Sequence, residues 1–504
     1  MDCRLIITTD THGVISPLSY SDQQELPQGL AKLATIINKE RNENTLVIDN
    51  GDALQGSPLL YHHYLFSKGD INPMAKVFNY LKYDYLNTGN HDFNFGSDAM
   101  LKFYRDNSAK WLTGNILKDD KAINPSYTIH KFKNQKSIAL IGCVTQFIPN
   151  WEHPDHINGF RFINCLKFVK ETIKTIKEKE KVDYIVCLYH GGIEKDMITG
   201  KPTELLSGEN QGYAMCQEIE GLDLLITGHQ HRSFVTKINN TTVTQCANDA
   251  KELVIIDLKD DGIKAQIVKA EVEIDHQVNQ LIAEEEKATQ SWLDVPLGRL
   301  IDGDLLINDM FEARLHKHPL VSFLNQVQSY TTNVDISCIG LANKVTGFKQ
   351  EITMRDILSS YVYPNTLIVI ELTGKKLRKA LEKSAEYFTV IDNEITINPE
   401  FETPKPKHYN YDMFDGIEYT LKISNPINHR VIEAKYHNED LDDDKLYQVA
   451  LNNYRAVGGG DFNMYKGSKI IKDTQKHIVD CIADYIIHHQ EIKVVHKDNI
   501  KIII

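Results

Sequence analysis

Asp10, His12, Asp52, Asn90, His190, His229 and His231 are the side chains of this 504-residue chain best suited to hold metal ions. They fall in the order Asp-x-His, Gly-Asp, Gly-Asn-His-Asp, a single His, and Gly-His-x-His, each just after a short apolar run at residues 5–9, 46–48, 83–86, 184–188 or 222–226. Carboxylate and imidazole together suit Mn, Fe, Zn or Co better than Ca or Mg. Two such ions, about 3.5–4 Å apart, clamp a phosphoryl group, activate a shared water and neutralise charge in an in-line displacement. A metal-held water titrates near neutral pH, so hydroxide becomes available as nucleophile.

Each fragment alone is a weak signal. Asp-x-His recurs by chance, a solitary histidine is more often a surface or core residue, and Gly-Asp is usually a turn. The ordered set is specific, because open α/β sheets hold their ligands beyond the carboxyl ends of their strands. Residues i and i+2 of a strand share a face, so Asp10 and His12 can reach one ion. Asp52 has two oxygens and can bridge to a second. Glycine beside Asn90 and His229 lets backbone approach the ions.

The elements that must position these groups alternate strand-like runs with amphipathic helices at 29–41, 98–105 and 165–179, an α/β pattern over residues 1–270. Residues 271–300 read as a connector whose helix covers 277–293 and ends at turn residues 294–298. Residues 301–504 form a second domain: helix 320–330, strand 334–341, strand 367–372 turning into helix 375–387, strands at 418–423, 431–436 and 446–452, and a last helix near 477–488. Two domains also follow from length, since one core rarely serves more than about 300 residues.

Composition excludes several classes. Net charge is −13 and no long Lys/Arg block occurs, which disfavours a nucleic-acid polymer as partner. No apolar run reaches the roughly 18–20 residues of a membrane helix. The eight cysteines are scattered, with no CxxC pair, and read as reduced, buried thiols. Strand-like sequence directly before Asp10 leaves no room for a signal segment, so a cytoplasmic location is expected. No obligate protein partner is indicated.

The whole pattern resembles the calcineurin-like metallophosphoesterases of the bacterial 5′-nucleotidase and 2′,3′-cyclic-nucleotide 2′-phosphodiesterase branch. The second half carries matching motifs: Tyr363-Pro364-Asn365-Thr366-Leu367, Tyr409-Asn410-Tyr411-Asp412 through Asp415-Gly416, and Asn452-Asn453-Tyr454-Arg455 through Gly458-Gly459-Gly460-Asp461-Phe462. The resemblance implies a four-layer αββα sandwich, a connecting helix and a smaller α/β (α+β) nucleotidase domain, with two divalent ions drawn from Mn, Zn, Fe, Co or Mg. It implies Asp10, His12, Asp52 and His231 on the first ion, and Asp52, Asn90, His190 and His229 on the second. His91 matches the histidine that stabilises the transition state. The 5′-nucleotidases pair that histidine with an Asp three residues on; here Asn94 stands there, and Asp92 is the candidate substitute.

In the second domain, Tyr454 with Tyr409 or Tyr411 would sandwich a base. Gly459, Asp461, Asp415 and Asn343 would complete the substrate contacts. His231, the residue 147–151 segment and the motifs around Tyr411 and Tyr454 are closer to the 2′,3′-cyclic branch. Asn343-Lys344 replaces a segment where the 5′ branch carries arginines. The expected activity is therefore 2′,3′-cyclic-nucleotide 2′-phosphodiesterase/3′-nucleotidase on small nucleotides, with 5′-nucleotidase or nucleotide-sugar hydrolase as runner-up. A non-hydrolysing nucleotide sensor is the alternative from another class. The family couples its halves by rotation about the connector.

Overall fold

The computed structural model describes residues 3–504 apart from 22, 205, 364 and 404, so Pro364 of the Tyr363–Leu367 motif lies outside the described residues. The chain divides into two compact units, Met1–Thr289 and Gln290–Ile504.

The first unit stacks two six-stranded sheets. One runs Gly262–Lys269, Glu252–Lys259, Cys3–Thr8, Thr45–Asp49, Tyr85–Leu86, Lys110–Trp111 in spatial order. The other runs Phe234–Ile238, Thr241–Gln245, Leu224–Thr227, Tyr184–His190, Ser137–Val144, Thr128–Lys131. The period of two along each strand explains the layering. Leu5, Ile7, Leu46, Ile48, Val186, Leu188, Leu224 and Ile226 fill the space between the sheets. Ile6 and Val47 face the other way, onto Leu33, Ala34 and Ile37 of helix Leu30–Glu40 and Met74 and Phe78 of helix Pro73–Tyr80. Ile141, Cys143 and Cys187 likewise meet Phe168, Val169 and Ile173 of helix Cys165–Lys179. Each such aliphatic side chain contributes roughly 1.5–3 kcal/mol by leaving water. Helix, sheet, sheet and helix thus form four layers, and all eight cysteines are buried thiols within the two units.

Parallel register brings the ends of the central strands level. Thr8 pairs with Asp49 and Asp49 with Leu86 in one sheet, and Tyr189 with Thr227 in the other. Asn87 pins the sheets together just below that edge: its amide donates to Asn50 Oδ1 and to the carbonyls of Cys143 and Leu188, at 3.0, 3.0 and 3.2 Å. Asp49, which accepts from Thr8 and the Gly51 N–H, is pushed up to about 8 by burial and by the neighbouring carboxylates Asp92 and Asp10.

The expected single helix over 277–293 is two, His276–Leu281 and Ala283–Leu293. The break falls at Ile282, whose side chain, with that of Val278, is buried in the same core as helix Leu30–Glu40. Burying both apolar side chains there outweighs helix continuity. The second unit carries a five-stranded sheet ordered Asp412–Asp415, Ile336–Gly340, Leu446–Asn452, Thr366–Thr373, Lys469–His477. Helices Pro319–Thr332, Gly374–Ala385 and Ile478–His489 accompany it. Among the described residues no helix is long and apolar enough to cross a membrane.

Candidate metal centre

Strand ends carry the ligand types to one place. Asp10 Oδ1 lies 3.4 Å from His231 Nε2 and 3.9 Å from His190 Nε2. His12 Nε2 lies 3.0 Å from His231 Nε2, and Asn90 Oδ1 lies 2.8 Å from His229 Nδ1. The donor atoms fall into two sets, Asp10 with His12 and His231, and Asp52 with His190 and His229, each within 4.8 Å internally.

One buried pair of atoms tests whether cations fit. Asp52 Oδ2 and His190 Nε2 are buried and face each other at 3.0 Å, with no other hydrogen-bond partner for either atom. A divalent ion would take the place of the proton between them and satisfy both donors. The other ring nitrogens are already engaged, His190 Nδ1 with the Asn50 carbonyl at 2.7 Å and His12 Nδ1 with the Gln55 carbonyl at 2.8 Å. Such contacts fix the tautomer and turn Nε2 toward the ion. The residues present therefore suit a pair of divalent cations.

Backbone strain concentrates here. Asp10, His12, Asp52, His229 and His231 all have φ between 49° and 68°. The left-handed region costs roughly 1–2 kcal/mol for a non-glycine residue, and such strain persists where surrounding structure over-determines it. Glycines make the crowding possible: a Cβ on Gly89 would sit 2.1 Å from Asp52 Oδ1, and one on Gly228 would sit 2.9 Å from Asp10 Oδ2.

Electrostatics follow from burial against opposite charge. Burial pushes the Asp10 and Asp52 carboxyls up, but His190 and the other imidazoles hold both well below the usual range. Burial pulls His190 down, yet Asp52 and Asp10 overcome it and raise it to about 10.

His91 stands beside both sets, its ring 5.6 Å from that of His12 and its N–H donating to Asp52 Oδ1. The candidate substitution of Asp92 for the family's dyad carboxylate is corrected by the geometry. Residues His91–Phe93 form a 3-10 turn, in which side chains i and i+3 eclipse while i+1 points elsewhere. Asn94 Oδ1 therefore meets His91 Nδ1, at 2.7 Å. Asp92 instead accepts the N–H groups of Ala53, Leu54 and Gly89 and the Tyr104 hydroxyl, locking the two ligand loops together. Burial and the Asp52 charge push it up to about 6.

Two further contacts back His229. Trp151 stacks on the His229 ring at 5.3 Å. Glu209 accepts at 2.9 Å from His229 Nε2, leaving Nδ1 to face Asn90. Glu209 sits in a loop without periodicity, so no pattern in the sequence marks it. A carboxylate behind a ligating histidine raises its basicity, so Glu209→Gln is expected to weaken binding of the second ion about 10-fold. Calorimetric titration of metal into chelator-stripped protein reads this directly.

In the second unit Arg455 is the organiser. Its guanidinium donates to the Tyr409 and Gly459 carbonyls, Asn410 Oδ1 and Asp412, and lies 4.3 Å from the Phe462 ring centre. It draws together the turn bearing half-buried Tyr409 and the segment bearing half-buried Tyr454, Gly459 and exposed Asp461. Asn343 holds the same turn, accepting the His408 N–H and donating to the Pro406 carbonyl. Two candidates do not join them. Tyr411 is fully buried, stacked on Tyr387 at 5.1 Å and in T-shaped contact with Phe388, so its ring is not open to a base. Asp415 is buried in an ion pair with Lys317 at the other end of its strand. Both serve packing. Arg455→Met would strand the buried Asp412 carboxylate, an expected cost of about 3–5 kcal/mol, seen as a lower urea midpoint with metal content unchanged.

Paired ligand sets on a four-layer sandwich are what a metal-dependent phosphoester hydrolase requires. Residues 3–233 match the calcineurin-like phosphoesterase family and residues 299–467 the 5′-nucleotidase, C-terminal domain. A Staphylococcus aureus chain, named as a 5′-nucleotidase candidate and solved with alpha-ketoglutarate, is 32% identical with a TM-score of 0.92, all of both chains being covered. The trifunctional nucleotide phosphoesterase protein YfkN of Bacillus subtilis is 26% identical over 97% of this chain, which spans only 38% of that relative's length. The 2′,3′-cyclic-nucleotide 2′-phosphodiesterase/3′-nucleotidase of Haemophilus influenzae is 25% identical over 96% of this chain and 84% of its own. The chain belongs to the calcineurin-like phosphoesterases that carry a 5′-nucleotidase C-terminal domain, a family of hydrolases that use divalent metals.

Proposed function

We propose that this protein hydrolyses phosphate esters of small nucleotides, acting as a 2′,3′-cyclic-nucleotide 2′-phosphodiesterase and 3′-nucleotidase. The observation that carries the reading is the pair of adjacent, largely buried donor sets, Asp10 with His12 and His231 and Asp52 with His190 and His229, with His91 beside them. Bound divalent ions would supply Lewis acidity toward the phosphoryl oxygens and an activated water. Asp10, His12, Asp52 and His231 would hold one ion, and Asp52, Asn90, His190 and His229 the other. His91 stabilises charge on the phosphoryl oxygens or delivers a proton to the departing ribose oxygen. Tyr454 and Tyr409 take the base between their rings, where stacking contributes about 1–3 kcal/mol and tolerates different bases.

The cyclic-nucleotide assignment is supported by the Haemophilus influenzae relative and by His231 with the Phe147–Trp151 segment. The test is phosphate release from 2′,3′-cAMP, 3′-AMP, 5′-AMP and UDP-glucose by protein loaded with Mn, Co, Zn or Mg, with a coupled phosphomonoesterase for the cyclic diester. Preference for 5′-AMP or UDP-glucose would move the protein to the 5′-nucleotidase or nucleotide-sugar reading. Tight nucleotide binding without hydrolysis would make it a sensor.

A further inference from the structure

The loop that follows the Ser137–Val144 strand reaches the metal centre with more than Trp151. Glu152, whose side chain is 7% exposed, accepts a hydrogen bond of 2.6 Å from the Asn94 amide on one carboxylate oxygen. Its other oxygen is taken by the His153 N–H at 2.9 Å and by His156 Nδ1 at 2.7 Å. The loop is itself held by the Glu152 N–H on the Ile148 carbonyl. An ionised carboxylate only accepts, so the Asn94 NH2 must face Glu152 and the Asn94 carbonyl must face His91.

That geometry has a consequence for the histidine. A carbonyl oxygen 2.7 Å from His91 Nδ1 requires a hydrogen on Nδ1. Nε2 is then the nitrogen left for the substrate. In a dyad with Asp either orientation of the partner presents an oxygen; with Asn only one of two amide orientations does. Something must choose between them.

We infer that Glu152 is a positioning residue, orienting the Asn94 amide so that His91 keeps Nδ1–H and turns Nε2 to the phosphoryl group. This rests on the role given to His91 above. Glu152 meets Asn94, the His153 N–H and His156 rather than His91 or a ligand residue. It acts through Asn94, and it does for an asparagine what a carboxylate at position 94 would not need.

The experiment compares Glu152→Ala, Asn94→Ala, their double variant and Asn94→Asp in the Glu152→Ala background. Turnover is read on bis(4-nitrophenyl) phosphate with manganese-loaded protein of checked metal content and melting temperature. Glu152→Ala and Asn94→Ala are each expected to lower kcat about 10–100-fold with KM little changed, and the double variant to fall no further. Asn94→Asp should restore turnover to Glu152→Ala, because both its oxygens accept; a merely structural loop residue would not be rescued this way. Long-range 1H–15N spectra of zinc-loaded, 15N-histidine protein, with the His91 signals identified by their loss in His91→Ala, should show Nδ1–H in the native chain and a mixture in Glu152→Ala. An unchanged tautomer in Glu152→Ala, or no recovery with Asn94→Asp, overturns the inference. The tautomer is read without any nucleotide, so failure of the nucleotide panel would leave this result standing or falling independently.

Discussion

His91→Ala is expected to lower kcat on the preferred nucleotide by about 10²–10⁴-fold while both ions are retained. The ring belongs to neither donor set, and its backbone N–H, which steadies Asp52 Oδ1, survives the substitution. Loss of rate without loss of metal therefore separates transition-state stabilisation from ion binding. KM should change little, since an interaction made only in the transition state leaves ground-state binding intact. Steady-state kinetics with elemental analysis of the same sample decides it. Undiminished turnover would remove His91 from the reaction.

Asp52→Asn is the second large effect, and it acts on the ions. The amide can present only one oxygen, and His190 loses the charge that faces it at 3.0 Å. Occupancy should drop from two ions toward one, and activity with it by at least about 10³-fold, the scale on which electrostatic stabilisation of this kind operates. Elemental analysis after gel filtration reads the stoichiometry; two tightly held ions in the variant would show that Asp52 is not shared.

The metal-free protein adds a pH signature. His190 is raised to about 10 there, above the roughly 6.5 of an unfolded histidine. Its contribution to stability is complete below about pH 6.5 and is lost as pH rises toward 10. A metal must displace that proton, so its affinity should increase with pH across the same window. Asp52→Asn should flatten both slopes, which paired urea melts and metal titrations at pH 6.5 and 9 would detect.

Sequence adjacency and side-chain direction part company at three places. Asp92 looked like a partner for His91 because it is adjacent in sequence, yet a 3-10 turn sends neighbours to different sides and brings Asn94 round instead. Of the two alternatives Tyr409 and Tyr411 in one motif, Tyr411 is fully buried with Tyr387 stacked on it. The connector read as one helix because its periodicity is continuous, yet Ile282 breaks it where a core claims the side chain. Local pattern reports what a residue can do; which face it presents depends on what packs against it.

Residue order alone makes the ligand set of the first unit legible. Strands ending in Asp, His and Asn carry those groups to the aligned carboxyl ends of two stacked sheets, because parallel register of the central strands levels their ends and loops there are free to carry polar ligands. Only the folded chain decided that Glu209 backs His229, that Arg455 gathers the Tyr409 and Gly459 segments, and that Glu152 stands behind Asn94. Those partners are separated from what they touch by 20, 46 and 58 residues where they are not on the same turn. A carboxylate or guanidinium in a loop carries no periodicity that would reveal its partner, so contacts of that range exist only once the layers have closed.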